Sequence, residues 1–311
     1  MVASQIDMHA RYGGVVPELA ARAHLDAIAP TVDQALQALP RGWDDVDAMA
    51  VTRGPGLIGS LLVGTSYAQA AALARGLPLV AVSHLAGHVY SAMLADASLQ
   101  PPYLALVVSG GHTDCVVLRD HGEAVALAAT RDDAVGEAFD KVARMLGLAY
   151  PGGPAVQRAA ERGDARRFRL PRTRLEDSFS FSGLKTAVRY VVRDLGAAQL
   201  DEHGAPRDAQ VVADLAAAFQ SAAVDQLVSG LEQALERSGA ERIAVVGGVA
   251  ANSALRDAVR ERFAGLRVVI PPPAYCTDNA AMIAMAGWHR LQRRGPDAAG
   301  FEVDPGLAEF A

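Results

Sequence analysis

Two imidazoles, His84 and His88, stand four residues apart in His84-Leu85-Ala86-Gly87-His88. On a helix, residues at i and i+4 share a face with Cβ atoms about 5–6 Å apart, so both rings can reach one metal ion. The same spacing also suits two hydrogen-bonded imidazoles near a helix start, and by itself it does not choose between the two. A metalloprotease helix carries Glu beside the first histidine as general base; Leu85 occupies that position here, which argues against proteolysis. The third ligand must come from elsewhere, and Asp278 is the candidate. It follows Pro271-Pro272-Pro273 and opens a helix, where N-terminal amides favour a carboxylate. Asp278, or Thr277 before it, equally fits a plain helix cap. Two histidines and one carboxylate leave coordination positions open, a set that suits non-haem iron or catalytic zinc.

Three glycine-bearing turns follow apolar runs: Ser109-Gly110-Gly111, Gly152-Gly153 after Tyr150-Pro151, and Gly247-Gly248 before Asn252. Glycine lets backbone amides approach an anionic group, and a following helix N-terminus adds a favourable dipole. Each turn alone also fits ordinary turn chemistry. None is a Walker A loop or a dinucleotide fingerprint, although three in one α/β chain resemble a nucleotide cleft. Asp140 sits on a predicted helix beside Lys141, as either a ribose contact or a solvated charge. The densest basic stretch is Arg162, Arg166, Arg167, Arg169, Arg172 and Arg174, followed by Lys185, Arg189 and Arg193. Such a cluster fits an RNA phosphate footprint, and it also fits a solvated surface.

The elements that must hold these groups alternate between strand and helix, which predicts an α/β fold. Strands are expected at 48–52, 79–82, 104–108, 114–118, 124–128, 243–246 and 268–270, and at Val2–Asp7. Helices are expected at 15–38, 60–74, from Ser83, at 134–146, 154–162, 183–194, 209–237, 252–263 and 278–294. At 311 residues and ~150 per domain, two lobes are expected. The first spans 1–101, completed by the helix 279–294; the second spans 102–278; residues 295–311 read as a loosely held tail. The second lobe opens with three strands, whereas the first opens with only Val2–Asp7, so it reads as incomplete at its start. The composition, 51% hydrophobic and 21% charged, excludes a disordered chain. Net charge −6 excludes a protein that coats nucleic acid by charge alone. Cys115 and Cys276, far apart in sequence, fit a reducing compartment. No apolar run approaches the ~20 residues of a membrane span and no signal peptide is evident, so a cytoplasmic protein is expected. Only Lys141 and Lys185 are lysines among 29 basic residues, which reads as codon usage in a GC-rich genome.

Taken in order, the motifs resemble the tRNA N(6)-adenosine threonylcarbamoyltransferases, formerly the O-sialoglycoprotein endopeptidase family. The resemblance rests on His9–Glu18, Gly54–Gly64, His84–His88, Val107–Thr113, Gly136–Lys141, Tyr150–Pro154, Phe179–Thr186, Gly247–Asn252 and Asp278-Asn279, and covers nearly the whole chain. It implies an actin- and hexokinase-like fold of two duplicated lobes around a nucleotide cleft. It implies one divalent metal ion, iron or zinc, on His84, His88 and Asp278. It places threonylcarbamoyl-AMP on Val107, Val108, Ser109, Gly110, Gly111, Asp140, Gly153 and Asn252, and tRNA as acceptor, with Arg166, Arg167, Arg169 and Arg172 as candidate tRNA contacts. A smaller paralogous subunit and a small ATPase are the implied bacterial partners. The family's usual initial strand and Thr-Ser-Cys-Asp-Glu turn, whose aspartate is its catalytic candidate, are not in this sequence, and no general base is assigned. A non-catalytic partner of the same complex would be expected to lack His84, His88 and Asp278; an O-carbamoyltransferase on a related fold is the other alternative.

Overall fold

The computed structural model describes residues 1–298 and 300–310. The chain begins with α1 (Ile6–Ala10), α2 (Pro17–Leu36), β1 (Met49–Gly54), α3 (Ile58–Arg75), β2 (Leu79–Ser83) and α4 (His84–Ala95). It continues through β3 (Tyr103–Val108), β4 (Thr113–Asp120), β5 (Glu123–Thr130), α5 (Val135–Met145), α6 (Gly152–Ala160), β6 (Ser178–Phe179) and α7 (Ser182–Asp194). The last elements are α8 (Ala209–Ser238), β7 (Arg242–Val246), α9 (Ser253–Arg262), β8 (Arg267–Val269), α10 (Pro273–Cys276) and α11 (Ala280–Arg294). Two compact units result: Met1–Leu94 with Asp120–Ala124 and Asn279–Ala311, and Ala95–Arg119 with Val125–Asp278.

The second unit is built on a mixed sheet in the order β6-β5-β4-β3-β7-β8. β3 is apolar and buried at all six positions, as a strand covered on both faces must be. It pairs antiparallel with β4 and parallel with β7. Leu104, Leu106 and Val108 join Cys115 and Val117 in one core with Phe139 of α5, Leu184 and Val188 of α7, and Phe219 and Leu227 of α8. The Phe139 and Phe219 rings meet edge to face at 4.9 Å. The 30-residue α8 is long and apolar enough to match a membrane span by composition. Its most apolar window is 78% buried, as befits a core helix.

The first unit holds the parallel pair β1–β2. Gly287 of α11 lies where a Cβ would be 2.6 Å from the Ala50 Cβ, so only glycine lets this helix press onto β1. Two expectations are corrected here. Val2–Asp7 is not a strand: α1 begins at Ile6, and His9 N–H donates to Gln5 O at 3.1 Å. A strand needs a neighbour, and among the described residues β1 and β2 pair only with each other in this unit, so the segment closes a local helical turn instead. The tail is also not loose. Asp297 N–H donates to Leu79 O and its carboxylate accepts from Ala81 N–H, completing the β2 edge. Further along, Gln69 donates to Phe301 O, Asp304 N–H to Arg53 O, and Ser83 Oγ to Glu309 O, while Leu307 is buried. Ala299 and Ala311 of that tail lie outside the described residues.

Candidate functional site

α4 starts directly from the buried strand β2, and Ser83 Oγ accepts from Leu85 N–H at 3.2 Å, closing the helix start. The i, i+4 spacing then puts the His84 and His88 rings 4.7 Å apart, edge to face at 75°. His88 is fully buried. Between them Gly87 faces α11 so closely that a Cβ would lie 2.7 Å from Ile283 Cδ1. α11 in turn is capped by Asn279, whose Oδ1 accepts from Met282 N–H at 2.9 Å. The cap role therefore falls to Asn279, and Asp278 is the residue just before it. One ligand atom each from His84, His88 and Asp278 all lie within 4.8 Å of one another. Donors about 2.1 Å from a common ion stand roughly 3–4 Å apart, so the donor set needs only small side-chain rotations to hold one ion. Two imidazoles and a carboxylate are a donor set that suits a single metal ion.

The glycine turns meet within the second unit. Gly247, at φ +94°, lies where a Cβ would be 2.4 Å from Val108 O, so the turn after β7 sits against the end of β3. Gly136 N–H donates to Ser109 O at 3.2 Å, and a Cβ there would be 2.9 Å from the Gly110 Cα. Thr113 Oγ1 accepts from Val135 N–H, docking the start of α5 on the same turn. Gly110 and Gly111 are exposed, and a Cβ added at either would meet no atom within 4 Å. One turn along α5, Asp140 Oδ1 accepts from Gly152 N–H at 2.7 Å at the start of α6. Burial pushes the Asp140 carboxyl up from its ordinary value, against the pull of the Gly152 amide. Gln157 of α6 accepts from Ser253 N–H, and Asn252 caps α9 while donating to Gln220 Oε1 at 2.8 Å. Hydrogen bonds and close approaches thus tie the turns at Ser109, Gly152 and Gly247 to the starts of α5, α6 and α9 within one unit. The sequence points to Val108, Ser109, Asp140 and Asn252 among these residues, places Gly136 in a motif without a role of its own, and gives no sign of Gln157 or Gln220. A glycine one residue inside a helix start was the available signal for Gly136.

The arginine-rich stretch is partly built into the fold. Arg167 pairs at 2.6 Å with Asp214, a buried carboxylate of α8 that also accepts from Asp164 N–H and Gln210. Arg172 pairs with Asp225 and donates to Ser221. Arg166 and Arg169 have no ion pair among the described residues. The two lysines meet at one carboxylate: Asp133 holds Lys141 Nζ at 2.8 Å and Lys185 Nζ at 2.6 Å. Burial raises the Asp133 carboxyl, and the two ammonium groups outweigh that and hold it below the usual range.

The fold and donors define an α/β protein with a candidate metal-binding group and several glycine-bearing turns packed together. A computed family description, tRNA N6-adenosine threonylcarbamoyltransferase (TsaD), matches residues 1–285, and the chain belongs to that family. Among relatives bearing that name, one from Gloeobacter violaceus is 50% identical, over 94% of this chain and 84% of its own length. One from a Synechococcus strain is 52% identical, over 92% and 77%, and one from an Anaeromyxobacter strain 48%, over 98% and 91%. A crystal structure of full-length HypF, in a phosphate- and nucleotide-bound form, superposes with a TM-score of 0.61. The match covers 86% of this chain and 42% of HypF at 13% identity, a likeness of fold alone.

Proposed function

We propose that this chain transfers the threonylcarbamoyl group from threonylcarbamoyl-AMP to the exocyclic amine of the adenosine 3′ of the anticodon, in tRNAs reading codons that begin with A. The observation that carries this reading is the convergence of His84, His88 and Asp278 within 4.8 Å in a chain of this family. The amine nitrogen bonds to the carbamoyl carbon, the carbon–oxygen bond to the phosphate breaks, AMP leaves with that electron pair, and the proton lost by the amine passes to the departing phosphate or to water. Because that leaving group is already activated, placing the amine against the carbonyl is the main task of the protein. In this proposal the exposed Gly110 and Gly111 amides receive the adenylate phosphate, with Val107, Val108 and Ser109 forming the wall behind them. Asp140 and Asn252 contact the nucleoside, and Gly153 leaves room at the α6 start. A divalent ion, iron or zinc, held by His84, His88 and Asp278 would supply chelation of the threonyl portion and polarisation of the carbonyl. The finer architecture we assign is the actin- and hexokinase-like pair of duplicated lobes with a nucleotide cleft. The setting is the cytoplasm, with a smaller paralogous subunit and a small ATPase as partners.

Reconstitution with those partners, ATP, threonine, bicarbonate and unmodified tRNA tests the reading by nucleoside mass spectrometry. Threonylcarbamoyladenosine is expected with this chain and not with His84→Ala. A mixture in which both chains support equal modification would assign catalysis elsewhere. For tRNA, Arg166 and Arg169 are the proposed phosphate contacts, since Arg167 and Arg172 already hold α8 carboxylates. Arg166→Glu with Arg169→Glu should weaken tRNA binding and lower its salt slope by about two. An unchanged slope in a filter assay would remove them from the interface.

A further inference from the structure

Arg256 ties together two segments that the proposed chemistry uses separately. From the first turn of α9, its Nε donates to Ala250 O at 2.7 Å, within the Gly248–Ala251 turn that leads into Asn252. Its Nη2 donates to Pro271 O and lies 3.2 Å from Cys276 Sγ. Pro271 and Cys276 bracket the arm that ends at Asp278, and the fully buried Cys276 thiol donates to Pro271 O at 3.3 Å. The main chain of Arg256 belongs to the same knot, because its N–H donates to Asn252 O at 3.1 Å.

The arm needs such an anchor. Pro271, Pro272 and Pro273 have no N–H to offer a neighbouring strand or helix, so the arm's main chain has few donors of its own. A guanidinium carries five donors in a rigid fork and reaches several acceptors at once; an ammonium acts as a point charge and cannot span them in the same way.

We propose that Arg256 is a positioning residue for Asp278: its guanidinium holds the proline arm so that the carboxylate meets the two imidazoles, and locks that arm to the Asn252 turn. This rests on the reading of His84, His88 and Asp278 as metal ligands. Arg256 acts through its two neighbouring segments and touches no reacting atom.

The test uses the full chain and zinc alone as probe, with affinity read by competition against a chromophoric chelator. Arg256→Met is expected to bind zinc about 10–100-fold more weakly, the usual cost of losing a group that orients a ligand, while Arg260→Met on the exposed face of α9 stays within about twofold. Arg256→Lys should fall between wild type and Arg256→Met, and excess zinc should restore modification by Arg256→Met. If Arg256→Met does not fold, Arg256→Lys carries the same question. Wild-type zinc affinity in the folded Arg256 variants, beside complete loss in His84→Ala, would overturn the role of Arg256 and leave the metal ligands standing. Equal zinc binding by wild type and His84→Ala would instead overturn the metal reading and this inference with it.

Discussion

Two histidine pairs in the first unit are arranged in opposite ways. His84 and His88 meet edge to face, 75° between planes, with the Asp278 carboxylate close by. His121 and His289 lie face to face, 3.8 Å between centroids and 9° between planes, with Tyr90 stacked at 5.7 and 5.1 Å. An imidazole nitrogen binds a metal along its lone pair, in the plane of the ring. Edge-to-face rings can aim two such lone pairs at one point; parallel rings hold theirs in separate planes. Burial pushes the pKa of both stacked rings down, that of His289 to about 4, so the stack stays neutral near pH 7. Ring orientation and a neighbouring carboxylate, more than the presence of two histidines, separate a metal centre from a packing contact.

The largest expected effect breaks that comparison directly. His84→Ala or His88→Ala should abolish zinc retention after dialysis, measured by elemental analysis, because two remaining donors cannot hold a labile ion. His289→Leu should keep full zinc occupancy and lower the melting temperature. Loss of zinc in His289→Leu would show that the stacked pair takes part in metal binding.

A smaller effect lies in the pH dependence of stability. The folded pKa of His289, about 4, lies below its ordinary 6.5, so between these values the native state binds fewer protons than the unfolded chain. Its contribution is complete above about pH 6.5 and is lost as pH falls towards 4. Asp114 opposes it. Burial, with no hydrogen bond to its Oδ2, pushes that carboxyl up from 3.8 to about 6, so stability rises as pH falls through the same window. His289→Leu should therefore gain stability relative to wild type on going from pH 7 to pH 4.5, and Asp114→Asn should lose its advantage over wild type along the same path. Urea unfolding at several pH values reads both slopes, and parallel curves for wild type and His289→Leu would deny the neutral stack.

Much of this was legible in the letters, and the failures have physical causes. The run Tyr103–Val108 announces a doubly covered strand because every position is apolar. Ser178–Phe179 makes a strand of two residues, too short for any period to register. Asp278 and Asn279 are both good capping residues, and only the direction of the chain at α11 assigned the cap to Asn279. The charges near 166–172 look solvated because their partners, Asp214 and Asp225, come from α8 far along the chain. The scarcity of lysine is visible in composition, whereas the meeting of Lys141 and Lys185 at Asp133 needs the packing of α5 against α7. A strand at Val2–Asp7 failed because no described strand pairs with it and a local helical turn forms instead, and a loose tail failed because its hydrogen-bond partners lie far away in the sequence.

The smallest expected effect is also the sharpest probe of how the proposed metal centre is held. Gly87 lies mid-helix in α4, where alanine would favour the helix by about 1 kcal/mol. Its added Cβ would lie 2.7 Å from Ile283 Cδ1 and 3.2 Å from Met282 Cγ. Ile283 Cδ1 is the far end of a side chain that can rotate, so the crowding costs an amount of similar size, and Gly87→Ala should change stability by no more than about 1 kcal/mol. Whatever crowding the rotation of Ile283 leaves pushes the two helices apart, and Asp278 enters just before α11, whereas His84 and His88 ride on α4. Zinc affinity should therefore fall several-fold while the melting temperature barely moves. Unaltered zinc affinity, with only the melting temperature displaced, would show that the spacing between α4 and α11 does not set the metal centre.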